Sequence, residues 1–226
     1  MVVSRTFIRS SIFIALIAVG SAGCSGKKIE DADPAELTKM AEEDIANDQF
    51  TLALDKLKLV RNKYAYSKYA PLAQLRIADV YFLQESFGEA APAYESFVDL
   101  HPKHEKVPYA MFRIAESHFF DTPGNIARDL TPAKKAEDAY NEFLRKFPGD
   151  PEADNARKHL ADTRTRLSEK ELYIANFYFK QDQYESAKRR YEKLLLLYPE
   201  TTQATIAREK LAKTEVELKK ASAHER

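Results

Sequence analysis

Small residues recur along this chain at a stride of twelve, and few folds can use that stride. Ala78, Ala90 and Pro102 lie twelve apart, as do Ala175, Ala187 and Pro199. Ala136 to Pro148 repeats the second step, and Ala41, Ala53 and Ala65 keep the rhythm with Ala in the Pro slot. An aromatic or His precedes each closing position: Tyr64, His101, Phe147 and Tyr198. Four residues after the middle Ala stands Leu57, Tyr94, Tyr140 or Tyr191. Two helices approach closely only where small side chains admit the neighbouring backbone, and bulky apolar groups then fill the space around the contact. Proline ends the second helix, because it lacks an N–H and disfavours helix in the residue before it. The ladder predicts an all-α solenoid of antiparallel helical hairpins stacked in a row.

The spacing resembles the tetratricopeptide repeat, whose period is about 34 residues. Ala53 to Ala90 is 37, and the chain has no Trp. About five repeats are expected, the last incomplete. In the third, Ala115 to Ala136 is 21 rather than twelve. The extra residues form an insert over 119–131, where Pro123, Gly124 and Asn125 favour turns. No Gly or Pro interrupts 152–181, which predicts one long helix, roughly 45 Å at 1.5 Å per residue. On this reading Leu160-Ala161 takes the place of Ile114-Ala115, and Ala161 and Ala175 fall near one stripe. Ala204, Ala207, Leu211 and Val216 mark the apolar stripe of a final first-type helix, and the chain stops before its partner helix.

Residues 1–23 read as a secretory signal: Arg5 and Arg9, then an apolar run from Ile12 to Val19 too short to span a bilayer. Ser21-Ala22-Gly23-Cys24 resembles the bacterial lipobox, which makes Cys24 the acylated N-terminus of the mature protein. Ser25, rather than an inner-membrane retention Asp, points to the outer membrane. One acyl chain holds a protein marginally and two hold it firmly. Polar residues 24–33 then serve as a tether. Without Arg5 and Arg9, 33 of the 35 basic residues remain against 35 acidic ones. That balance offers no basic face for nucleic acid. With Cys24 the only cysteine, no disulfide framework exists.

Catalytic and metal-binding patterns are lacking. His101, His104 and Glu105 lie close in sequence, but His101 holds the slot of Tyr64, Phe147 and Tyr198, so packing accounts for it. His118 occupies the slot of Tyr81 and Tyr178, at a helix interface, while His159 and His224 read as exposed. There is no phosphate loop, no nucleophile elbow and no zinc helix, and charges such as Glu169, Lys170 and Glu171 have the look of solvated helix faces. No enzyme, cofactor or metal is expected. What remains is a concave surface lined by first helices, suited to extended peptides and partner domains. Tyr64, Tyr66 and Tyr69 with Lys63 and Lys68, and Tyr173, Phe177 and Phe179 beside Tyr178, are aromatic clusters the ladder leaves free for binding.

Four stretches carry a more specific resemblance: Ile126-Ala127-Arg128-Asp129 in the insert, Arg166-Leu167 through Glu171 with Ala175 and Phe177-Tyr178 in the long helix, Arg190, and Leu195 to Thr205 including Tyr198-Pro199-Glu200-Thr201. With the lipobox and tether, they resemble the BamD (ComL/YfiO) family of outer-membrane lipoproteins over nearly the whole chain. The resemblance implies a non-catalytic scaffold of the β-barrel assembly machinery, lipid-anchored at the periplasmic face. The expected partners are a BamA-like barrel subunit, other assembly-machinery lipoproteins and unfolded outer-membrane proteins. It implies partner contacts at Arg190, Tyr198, Arg128 and Asp129 within 132–226 and the insert. It places substrate contacts at Tyr64, Tyr66 and Tyr69 within 34–118, although Ala65 replaces the family's Pro. A different periplasmic tetratricopeptide lipoprotein, serving pilus assembly or cell division, is the alternative.

Overall fold

Asp33 begins the array by capping a helix. Its carboxylate accepts from the backbone N–H groups of Ala35 and Glu36, both at 2.9 Å, ahead of Pro34 at the first helical position. The structure is a computed structural model and describes residues 31–224. The signal segment and Cys24, and all of the tether before residue 31, lie outside those residues. Nine α-helices follow among the described residues: α1 Pro34–Ala46, α2 Phe50–Lys63, α3 Ala70–Leu83, α4 Phe87–Leu100, α5 Val107–Phe120, α6 Thr131–Lys146, α7 Ala153–Lys180, α8 Tyr184–Leu197 and α9 Thr202–His224. Each packs on the next, and α7 also reaches α5 and α9. The fold is a tetratricopeptide-like solenoid of four hairpins and one further helix among the described residues.

The ladder is the packing seam. Ala41, Ala53, Ala78, Ala90, Ala136, Ala175 and Ala187 have no exposed surface, and neither do Leu57, Tyr94, Tyr140 and Tyr191 one turn later. Ala78, Ala90, Tyr94, Ala136 and Tyr140 share one cluster with Phe97, Phe112 and Phe143. Ala175, Ala187, Tyr191, Ala204 and Ala207 form a second.

Three hairpins close through one device that the stride does not reveal. Asp48, Glu85 and Asp182 adopt left-handed φ of 56°, 56° and 57° just past the ends of α1, α3 and α7. The next N–H in each case reaches back five residues: Gln49 to Asp44 O at 2.8 Å, Ser86 to Tyr81 O at 2.9 Å, and Gln183 to Tyr178 O at 3.0 Å. This is the Schellman turn, which satisfies carbonyls left open at a helix end and is normally closed by glycine. A left-handed non-glycine residue costs roughly 1–2 kcal/mol, and glycine gives back part of that relief as unfolded-state entropy. Glu85→Gly is therefore expected to raise stability by about 0.5–1 kcal/mol, read as a higher urea midpoint at unchanged slope. An aromatic follows each turn, at Phe50, Phe87 and Tyr184, and two of them seat on the preceding helix. Phe87 lies 5.1 Å from Phe82 and Tyr184 lies 5.5 Å from Phe179, both edge-on.

Three details of the sequence reading are corrected. Ala161 is exposed, and Ala156 is the small buried residue where α7 joins the central cluster. Five residues separate the two, which places them on different sides of the helix. Val216 is exposed, and α9 buries Thr214 instead, continuing Ala204, Ala207 and Leu211 at the spacing of one helical face. His159 is not an exposed position. Its ring stacks on Phe119 at 4.5 Å and 9°, and its Nδ1 lies 3.0 Å from the hydroxyl of Tyr140.

Candidate interaction surface

The 121–130 insert replaces the tight turn of the third hairpin and is shaped first by its own side chains. The Asn125 carboxamide oxygen accepts from the Ala127 N–H at 2.8 Å. Asp129 Oδ1 accepts from both the N–H and the hydroxyl of Thr131, at 3.0 and 2.9 Å. Those two bonds hold the Asp129 carboxyl below its usual range. Helix α7 then clamps the loop from the side. Arg166 Nη1 donates to Pro123 O at 3.3 Å, and Lys170 Nζ donates to Ala127 O at 3.2 Å and Arg128 O at 2.7 Å. Because the clamps grip backbone carbonyls, the side chains of Arg128 and Asp129 stay exposed.

The next residue of α7 faces α8. Glu171 is largely buried and accepts from Arg190 Nη1 at 3.2 Å and Lys193 Nζ at 2.6 Å. One stretch, Arg166–Glu171, thus fixes both the insert and Arg190. Arg190 remains over a third exposed, with donor capacity left over, since a guanidinium carries five N–H groups.

Tyr198 does not belong to this surface. It is 4% exposed and packs with Leu130, Ala133 and Leu167. The guanidinium of Arg164 lies 5.1 Å from its ring centroid, and burial pushes its phenol up to about 12. Its role is to seat the end of α8 against α6 and α7. Arg164, which the sequence reading passed over, is the hub of that corner. It donates to Glu137 and Glu200 at 2.5 Å each and to Leu197 O at 2.6 Å.

At the other end, Tyr64, Tyr66 and Tyr69 all fall in the α2–α3 connection. The Ser67 N–H bonds Tyr64 O at 2.8 Å, which bends the segment. Lys63 Nζ lies 5.4 Å from the Tyr64 ring centroid and Lys68 Nζ 5.3 Å from that of Tyr69. Tyr64 and Tyr69 are half-buried, whereas Tyr66 is fully exposed.

A family model described as an outer membrane lipoprotein, YfiO, matches residues 30–226. The chain belongs to this family. It is similar to the outer membrane protein assembly factor BamD of Vibrio cholerae, at 26% identity over 193 residues covering 80% of each chain. The same-named protein of Pasteurella multocida is 24% identical, over 88% of this chain and 80% of its own. Among solved structures, a tetratricopeptide repeat protein from Parabacteroides merdae matches at TM-score 0.43 and 16% identity, over 84% of this chain and 75% of its own.

Within this outer membrane lipoprotein family member, no helix of the described residues is long and apolar enough to cross a membrane. Among those residues, no three His, Cys, Asp or Glu side chains gather as a metal site. Exposed large apolar groups are scattered along the array. Tyr173 and Phe177 form an exposed pair one turn apart on α7.

Proposed function

We propose that this protein is a lipid-anchored scaffold of outer-membrane β-barrel assembly, holding a BamA-like barrel subunit through its C-terminal hairpins. The observation that carries the reading is the Arg166–Glu171 stretch, which holds the insert on one side and Arg190 on the other. A surface whose parts are already fixed loses little entropy on binding. An arginine with unused donors suits a carboxylate on the partner. The relatives named as assembly factors support this assignment. The exposed Tyr66 and its neighbours Tyr64 and Tyr69 then serve the incoming, unfolded barrel proteins, as an apolar surface with polar tips.

Arg190→Glu is expected to abolish co-purification with the periplasmic region of a BamA-like subunit. Helical content stays intact, because a partly exposed ion pair contributes only about 0–1 kcal/mol to folding. Wild-type recovery of the partner by the reversed protein refutes the contact. The anchor is tested separately. Cys24→Ala is expected to move the chain from the membrane pellet to the soluble periplasmic fraction at both low and high salt. Continued sedimentation with membranes in both conditions overturns lipid anchoring at Cys24.

A further inference from the structure

The surface described above leaves unused a groove on another side of α5. Helices α4 and α6 flank it, and Met111, Ile114 and His118 of α5 line it with the helical spacing of one face. Val98 from α4 and Ala139 from α6 complete an apolar floor. Two adjoining cavities of about 520 and 190 Å³ run along it and share Glu95, His118 and Lys135.

The insert explains why the groove is open. In three hairpins an aromatic begins the second helix, whereas α6 begins with Thr131 and Pro132. Those two residues, with Asp121 and Gly88, line the smaller cavity. A β-carbon on Gly88 would meet no atom within 4 Å.

The rim is acidic. Glu95 and Asp99 from α4 and Asp138 and Glu142 from α6 stand against Lys135 and Lys146. Asp138 has Lys134 at 3.2 Å and Glu142 has Lys146 at 2.7 Å. Among the described residues Glu95 and Asp99 have no Lys or Arg partner, and Glu95 meets only His118, at 3.8 Å. Burial holds the His118 imidazole below its usual range, so it stays largely neutral at pH 7 and leaves the Glu95 charge standing.

We propose that this groove docks an amphipathic helix of a partner protein, its apolar stripe on Met111 and Ile114 and its Lys or Arg residues against Glu95 and Asp99. A helix laid between two others over a third is the geometry that side-chain ridges and grooves accept, and recognition by an apolar stripe follows. Since α4 has 14 residues, a partner helix of about four turns matches its length.

The experiment uses the mature chain and a synthetic helix of about 15 residues, with Leu every third or fourth position and Lys at its flanks. Its twin has Glu for every Lys. Titration is followed by the methyl resonances of Met111 and Ile114. The Lys peptide is expected to shift both saturably, and the twin to bind at least about tenfold more weakly. Glu95→Lys with Asp99→Lys is expected to weaken the Lys peptide by a similar factor. Gly88→Trp fills the open end of the groove and is expected to block binding with helical content retained. The proposal fails if the wild-type methyls do not shift saturably, if the twin binds equally, or if reversing Glu185 and Glu215 on α8 and α9 weakens the peptide as much as reversing Glu95 and Asp99.

Discussion

Ala90→Trp is expected to lower the melting temperature by roughly 6–12 °C, the shift that about 3 kcal/mol produces in a domain of this size. Ala90 has no exposed surface and packs in the cluster that contains Ala78, Tyr94, Ala136 and Tyr140. Extra atoms in a filled core usually cost about 1–3 kcal/mol through shifted backbone and strained rotamers. An indole at a helix–helix contact belongs at the top of that range, because its first side-chain atom already lies in the seam. Ala161→Trp is the matched control. Ala161 is exposed on α7, so the same substitution there is expected to stay within about 0.5 kcal/mol. Thermal and urea denaturation followed by circular dichroism measure both. Equal melting of the Ala90 variant and the wild type would remove Ala90 from the packing seam.

That contrast also marks how far the sequence alone can be read. The stride shows which alanines meet, because helix contact demands smallness at fixed positions. Ala78, Ala90, Ala136, Ala175 and Ala187 are all fully buried. The stride loses its hold where a helix exceeds one hairpin. In α7 the offset from Pro148 points to Ala161, but α7 meets α6 through Ala156 and turns other residues toward α8. Val216 failed for a related reason. It is apolar and near the right phase, yet the buried position is taken by Thr214, whose hydroxyl bonds the Lys210 carbonyl at 2.8 Å and so tolerates burial.

The candidate surface was legible only in pieces. The resemblance points to Arg128, Asp129 and Arg190, and nothing in their spacing tells that α7 holds both the insert and Arg190 in place. Lys170 and Glu171 look in sequence like solvated charges. Their partners are backbone carbonyls of the insert and residues of α8, which only the fold brings near. The left-handed turns were legible in principle. Asn47-Asp48-Gln49-Phe50, Gln84-Glu85-Ser86-Phe87 and Gln181-Asp182-Gln183-Tyr184 share a polar-acidic-polar-aromatic order. The absence of glycine hid them.

Asp79→Ala is expected to cost about 3–5 kcal/mol, since it removes one member of a buried charged network. Asp79 is 5% exposed. Its carboxylate accepts from the Tyr94 hydroxyl at 2.6 Å, the Tyr109 hydroxyl at 2.8 Å and Arg76 Nη1 at 2.8 Å. Burial, and then the nearby Asp79 charge, raise the Tyr94 phenol far above its ordinary value and push Tyr109 up to about 12. Arg76 reaches on to Glu42 at 2.7 and 2.5 Å, so the network joins α1, α3, α4 and α5. Losing the carboxylate strands the fully buried Tyr94 hydroxyl, whereas Arg76 keeps Glu42 and part of its hydration. Most of the expected cost therefore comes from Tyr94, because an orphaned buried donor costs about 1–3 kcal/mol and each hydrogen bond to a charge about 1.5–3. Tyr94→Phe removes that donor without opening a cavity, so it is expected to recover part of the loss when combined with Asp79→Ala. A double-mutant cycle by urea denaturation is expected to return a coupling of about 1–3 kcal/mol between the two positions. Additive losses would show that Asp79 and Tyr94 act independently, and that the hydroxyl–carboxylate bond between α3 and α4 adds nothing to their packing.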